Sequence, residues 1–229
     1  ANLKEEKSHS VSLSADMYRR FGAFQCNLLL EGFYTRLNHV FVLEEVGFDQ
    51  THNATVKERR NGKGAEVAGV TVEGKVAYLS LVQLQAGVTW QRSHYTQPEQ
   101  WSDDESVPAE RRIFRTPDWY GYFTATYTPV KPLNIALSGT YTGSMLVQHM
   151  KGYIAKDVAV TTPDFFDMTA KVSYDFSLYK AITLQVNAGV QNIFNAYQRD
   201  FDQGKERDSG YIYGPGSPRS YFAGMKISF

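Results

Sequence analysis

The chain has 229 residues, 24 basic and 24 acidic side chains, and a formal net charge of zero. That balance removes the electrostatic case for nucleic acid, and no basic row with interleaved aromatics stands in for it. A lone cysteine, Cys26, excludes an intrachain disulfide, and no apolar run approaches the ~20 residues of a membrane helix.

The periodicity is two nearly everywhere, which predicts an all-β chain of nine strands, at about residues 8–20, 23–46, 54–78, 81–95, 114–128, 132–147, 164–177, 181–194 and 218–229. In the second of these, Cys26 sits in an apolar stripe and reads as a buried or lipid-facing spectator. Val70, Val72, Val76 and Tyr78 alternate with Thr71, Glu73 and Lys75 in the third strand. Leu133, Ile135, Leu137, Gly139 and Tyr141 alternate with Asn134, Ala136, Ser138, Thr140 and Thr142 in the sixth. The clearest strand is the eighth, where Ile182, Leu184, Val186, Ala188 and Val190 oppose Thr183, Gln185, Asn187, Gly189 and Gln191. The last carries Tyr221, Ala223, Met225, Ile227 and Phe229 on one face. Several alternate for ten or more residues, long enough to cross a bilayer at a tilt, where strands of about 9–11 residues suffice.

The connections alternate too. Tight turns fall near residues 20–23, 78–81, 128–132 and 178–181, and long polar links at 46–54, 96–112, 148–163 and 198–217. Short periplasmic turns and long outer loops are the rule in outer-membrane barrels. Aromatic content of 14% suits interface belts, with Trp90, Trp119, Tyr127 and Tyr141 as belt residues. The polar stripes would then line an interior, where Lys171, Asp175, Gln185, Asn187, Glu73 and Lys75 meet a plug or water. Nine is an odd count and single-chain bacterial barrels use even ones. Together with the lack of a signal peptide at residues 1–4, this leads us to expect a piece of a larger barrel, starting within an outer loop.

Four local patterns carry a family resemblance. Gly64-Ala65-Glu66-Val67-Ala68-Gly69-Val70-Thr71-Val72-Glu73 opens a strand; Arg112-Ile113-Phe114-Arg115-Thr116-Pro117-Asp118-Trp119 opens another. Val190-Gln191-Asn192-Ile193-Phe194-Asn195-Ala196-Tyr197 is the most specific, and Pro218-Arg219-Ser220-Tyr221-Phe222-Ala223-Gly224-Met225-Lys226-Ile227-Ser228-Phe229 resembles a closing strand. From about Ser10 onward the chain resembles the C-terminal part of TonB-dependent outer-membrane receptors, and the stretch at 208–215 resembles members from Bacteroidetes-type bacteria. The resemblance implies an antiparallel transmembrane β-barrel of 22 strands around a plug, of which residues 1–229 supply the last nine, with the plug and the N-terminal strands absent. It implies a multi-pass protein of the bacterial outer membrane. Its implied partners are membrane lipid, the remaining strands and plug of the same receptor, the TonB complex through the missing N-terminal region, and in some members a surface lipoprotein. No nucleic acid, cofactor or metal is implied, and Tyr221 and Phe229 are implied as a barrel-closing and assembly signal.

Candidate chemistry lies in the outer loops. Tyr95, Trp101, Tyr153, Tyr197, Phe201, Tyr211 and Tyr213 offer aromatic contact surface, Arg199 and Arg207 suit anionic chelates, and His149 could touch a haem or metal chelate. The competing reading of each is belt packing or a loop folded on itself. Asn192 and Asn195 read as turn formers. Ser144, His149 and Asp157 have the residue types of a hydrolase triad but no nucleophile elbow, so no catalysis is expected. The five histidines show no metal-ligand spacing, and Asp103, Asp104 and Glu105 read as solvated. The expected function is active uptake of a scarce nutrient such as a metal-siderophore, haem or cobalamin. The alternatives are a passive porin-like or structural barrel, or a soluble β-sandwich for adhesion or glycan binding, which would tuck the apolar stripes into a core.

Overall fold

Strands with one apolar and one polar face can bury the apolar face in a core or turn it outward. A computed structural model describing residues 3–179 and 182–229 decides between these. The described strands are β1 (Lys7–Phe21), β2 (Phe24–Asn38), β3 (Phe41–Asp49), β4 (Ala54–Asn61), β5 (Ala65–Tyr78), β6 (Val82–Glu99), β7 (Glu110–Arg112), β8 (Trp119–Val130), β9 (Leu133–Thr142), β10 (Leu146–His149), β11 (Val158–Thr161), β12 (Phe165–Tyr179), β13 (Ile182–Gln191) and β14 (Ser220–Ser228). Nine of them follow one another in a single sheet, β1-β2-β5-β6-β8-β9-β12-β13-β14, with β7 on the flank of β6. Every pairing along that path is antiparallel. β3–β4 and β10–β11 form separate two-stranded sheets.

The register carries each strand's two faces across the whole sheet. Leu13, Gly32, Val70, Trp90 and Trp119 form one cross-strand row. The adjacent row on the other face is Ser14, Glu31, Thr71, Thr89 and Tyr120. Further along, Val172, Ala188 and Ala223 lie opposite one another, as do Ser173, Asn187 and Gly224. Leu29, Phe33, Leu37, Val67 and Phe222 are among the apolar residues that interrupt the mostly polar face.

Burial is inverted relative to a soluble sheet. On the polar face Thr89, Gln91, Ser93 and Ser173 are buried, while the apolar neighbours Val88 and Val172 are 43% and 46% exposed. Leu84, Val72, Val186 and Met225 are exposed as well, and the buried apolar side chains Ala65, Val107, Met145, Leu146, Val147, Phe165 and Tyr211 all lie at the long-loop end. Among the described residues no second sheet covers the apolar face, so the β-sandwich alternative fails. Aromatics rim that face at both ends. Trp90, Trp119, Tyr141 and Phe166 stand toward the long loops, and Phe21, Phe24, Tyr78 and Tyr127 toward the short turns. The Trp90 and Trp119 rings lie 6.4 Å apart and those of Phe24 and Tyr78 4.6 Å apart. The Trp90 and Tyr78 rows are eight residues apart, which at ~3.3 Å per residue and a ~40° tilt gives about 20 Å between rims, somewhat less than the ~25 Å apolar band of membrane barrels.

Several boundaries differ from the sequence expectation. The predicted strands 23–46 and 54–78 are each broken, between β2 and β3 and between β4 and β5. His39 adopts φ 56°, and the Asn61 amide donates to the carbonyls of His39 and Lys4, so the backbone turns aside and β3–β4 leaves the main sheet. The strand expected at 114–128 begins only at Trp119, because Arg115 takes φ 60° with its N–H turned to the Leu146 carbonyl and Pro117 has no N–H for the ladder. The strand expected at 132–147 stops at Thr142, and the one expected at 181–194 ends at Gln191, before Asn192 at φ 50°. The turn expected at 178–181 includes Lys180 and Ala181, which lie outside the described residues. Among the described residues no helix is long and apolar enough to cross a membrane, a statement that does not bear on strands.

Candidate functional site

Three long loops, at 99–119, 142–165 and 191–220, fold onto one another at one end of the sheet. The hairpin β10–β11 supplies their apolar seed, in which Met145, Val147 and Tyr211 pack together with Val160 and Tyr213 against them. Met145, Leu146 and Val147 form a continuous apolar run rather than an alternating one, and all three are buried.

Polar contacts tie the loops around that seed. Both carboxylate oxygens of Asp202 lie 2.9 and 3.0 Å from Nε2 of His149. The His149 ring stacks flat on Tyr211, with centroids 3.7 Å apart and 7° between planes. Tyr211 and Tyr213 both donate their hydroxyls to Asp200, at 3.0 and 2.6 Å. Gln198, fully enclosed, donates to the Tyr211 carbonyl and accepts from the Tyr213 N–H. Asp208 accepts from the N–H groups of Met150 and Gly210. Arg115 donates to the carbonyls of Gly210 and Ile212, and its own N–H donates to Leu146. Ser102 donates to Asp157 at 2.6 Å, and Asp157 also accepts from the Lys151 N–H at 2.5 Å.

The ionisation of the cluster follows from these contacts. Burial opposes the charge of Asp202, but the Asp208 N–H and His149 outweigh it and hold its pKa below the ordinary carboxylate value. Asp200 is likewise lowered, burial being outweighed by the phenols of Tyr213 and Tyr211. Burial, reinforced by the Asp200 hydrogen bond and charge, pushes Tyr211 up to about 12 and raises Tyr213 too. At neutral pH the site therefore presents two carboxylates and two protonated phenols.

Of the residues expected in a ligand site, His149, Tyr211 and Tyr213 are brought together, with His149 and Tyr211 buried. Tyr197 and Arg199 form a separate pair, the guanidinium 5.1 Å from the ring centre. Trp101 donates to the Pro108 carbonyl and meets Phe114 edge-on, Tyr95 is half-buried on β6, Tyr153 is exposed, and exposed Arg207 donates to the Gly204 carbonyl. Phe201 is partly exposed beside Asp202. Asp200, Asp202, Gln198 and Arg115 escaped the sequence reading. Their only signal was two aspartates, two residues apart, in an aromatic loop. The hydrolase combination is not assembled, because the carboxylate partner of His149 is Asp202 while Asp157 is engaged by Ser102. Asn192 and Asn195 form the turn expected of them. Both take positive φ, and Asn192 bonds the N–H and C=O of Ala196 and the C=O of Ser217. No group of three His, Cys, Asp or Glu among the described residues could hold a metal.

The inverted sheet and its looped end describe an outer-membrane barrel wall, and the sequence matches the family described as TonB dependent receptor-like, beta-barrel, over residues 1–193. The chain belongs to the TonB-dependent receptor family. It is thus part of a multi-pass β-barrel of the bacterial outer membrane, in a family of receptors. No curated protein matches it. Solved structures agree in fold. The ferric-catecholate import receptor Fiu from K12 E. coli is 18% identical with a TM-score of 0.64, the match covering 98% of this chain and 28% of that one. The FrpB iron transporter from Neisseria meningitidis is 13% identical with a TM-score of 0.60, over 99% and 32%. The ferripyoverdine receptor of the outer membrane of Pseudomonas aeruginosa is 14% identical with a TM-score of 0.62, over 97% and 27%. The chain spans less than a third of the length of each of these receptors.

Proposed function

We propose that these nine strands form the C-terminal part of a 22-stranded receptor barrel that takes up a scarce nutrient by energy-coupled transport, with metal-siderophore, haem or cobalamin as the cargo class. The observation that carries this reading is the interlocked loop cluster on a receptor-family barrel. A passive pore has no need of three outer loops bound to one another by a buried His149–Asp202 contact, phenol–carboxylate hydrogen bonds and stacked rings. The cargo of the solved relatives, ferric catecholate, iron and ferripyoverdine, favours a metal chelate. In this reading the outer loops first meet the ligand through exposed Tyr153, Phe201, Arg199 and Arg207, with Trp101, Tyr95 and Tyr197 nearer the lumen. His149, Tyr211 and Tyr213 hold the loops in shape.

The plug of the same receptor occupies the polar concave side. There Glu73 bonds Gln85 and Tyr122, Lys75 pairs with Glu73 at 3.2 Å, and Gln185 donates to Asp175 at 2.8 Å. Because these groups satisfy one another across strands, the plug meets a wall that needs no plug contact to stay neutralised, and it can slide. TonB acts through the region outside this chain, a surface lipoprotein caps the loops only where the receptor carries one, and no covalent chemistry takes place. Tyr221 and Phe229, both exposed on the outward side, mark the closing strand for assembly. The test is uptake of radiolabelled ferric catecholate, haem and cobalamin by cells with and without the full receptor gene. One of these should enter only with the gene and only without a protonophore. Uptake that survives the protonophore would establish the passive-pore alternative.

A further inference from the structure

The chain contains one Asn-Gly pair, Asn61–Gly62, and it stands at the root of the β3–β4 hairpin. Every other asparagine is followed by Leu, His, Ala or Ile. Asn61 ties the hairpin to the segment that enters β1. Its Oδ1 accepts from the Lys4 N–H at 2.6 Å, and its Nδ2 donates to the carbonyls of Lys4 at 2.8 Å and His39 at 2.9 Å. Beside it the Gly62 N–H donates to the Val40 carbonyl at 2.7 Å, and Glu6 accepts from the Phe41 N–H at 3.2 Å. One side-chain amide thus fastens the start of β1 to both legs of the hairpin.

We propose that Asn61–Gly62 is a site of spontaneous deamidation, held unreactive by the folded hairpin root and releasing that root once it has reacted. Glycine has no side chain to hinder its nitrogen, so an asparagine before it closes the ring most readily. The Gly62 nitrogen attacks Cγ of Asn61 and gives up its proton. The new N–Cγ bond closes a succinimide, the Cγ–Nδ2 bond breaks, and the amide nitrogen leaves with that proton as ammonia. Water then adds across either ring C–N bond, leaving aspartate or isoaspartate at position 61. In the fold the Gly62 N–H is engaged by Val40 and the leaving amide by two carbonyls, so these bonds must open before the ring can close. The product cannot restore them. A carboxylate has no N–H for the Lys4 and His39 carbonyls and sets a negative charge against both. The isoaspartate form also adds a backbone carbon to β4 and shifts its pairing with Phe41. The reaction therefore runs one way, from a fastened hairpin to a loose one.

The experiment follows position 61 by peptide mass spectrometry in the full receptor, incubated in a mildly alkaline buffer either folded in detergent or unfolded in urea. Asn61 should deamidate faster than any other asparagine of this chain when unfolded, and about tenfold or more slower when folded. The released root is read with trypsin, whose sites Lys57, Arg59 and Arg60 lie on β4 and are cut once the hairpin opens. The Asn61→Asp variant, shown to be folded by its migration on unboiled gels, should be cut there several-fold faster than the wild type while β2 and β5 stay intact. The deamidated fraction of aged wild type, separated by its added negative charge, should be cut as fast as the variant, and it supplies the same readout if the variant does not fold. Equal deamidation rates in the folded and unfolded receptor, or an unfolded Asn61 no faster than the other asparagines, overturn the proposal. So does cleavage of the aged fraction at the wild-type rate.

Discussion

At the level of single residues, the loop cluster depends on carboxylates that stay charged and phenols that stay neutral. Asp200 and Asp202 have lowered folded pKa values, so their stabilisation is complete above the unfolded value of ~3.9 and is lost as pH falls through the lower folded values. Tyr211 is raised, so its contribution is complete below ~10 and is lost as pH rises through about 12. The protection of the amides of residues 146–161 and 198–213 in the full receptor, taken relative to the intrinsic exchange rate at each pH, should therefore be high and flat from about pH 5 to 9. Asp202→Ala leaves His149 stacked but without its carboxylate, and should speed exchange in both segments by about tenfold or more while β12 and β13 stay protected. Equal exchange in wild type and variant would show that the stack and the β10–β11 packing hold the loops without the ion pair.

For an individual strand, what matters is which face a substitution lands on. Val72 lies near the middle of the lipid-facing band, opposite Val88, and Thr124 lies on the concave face opposite Gln85. Val72→Arg should lower the stability of the receptor in vesicles by about 2–4 kcal/mol, whereas Thr124→Arg should change it little. Urea unfolding followed by tryptophan fluorescence separates the two, and equal costs would contradict the assignment of faces. Close strand contact also relies on ring-over-glycine pairs. The Phe222 ring covers Gly189, where a Cβ would meet Phe222 Cζ at 2.4 Å and the Ala170 carbonyl at 2.5 Å. Even the smallest side chain there must displace backbone, which is why the polar face tolerates Phe222.

Across the whole molecule the sheet has two free edges. Among the described residues β1 pairs only with β2 and β14 only with β13, leaving edges of 15 and nine residues unpaired. In lipid such edges cannot stand, because each unsatisfied backbone group costs several kcal/mol there. On the proposed assembly, the remaining strands of the receptor close both. Co-expressing this chain with a chain carrying those strands should give a species that migrates folded on unboiled gels and unfolded after boiling. This chain alone in detergent should give only the unfolded band, and a folded band from it alone would mean that the nine strands close by themselves.

Local alternation determined a great deal. The nine strands of the main sheet, their antiparallel order, the short-turn and long-loop ends and the two-faced character of segments such as 182–191 are all written in side chains two residues apart. The turn role of Asn192 follows from chemistry within five residues. What alternation cannot say is which face is concave or where separate segments meet. The register and curvature of the sheet decided that Thr89 and Ser173 are sheltered while Val88 and Val172 face out. The breaks at His39 and Arg115 depend on backbone bonds to distant residues such as Asn61 and Leu146. The pairing of His149 with Asp202 joins residues 53 apart in sequence. Short-range pattern carries only local geometry, and contacts across loops of that length exist only once the sheet has brought their ends together.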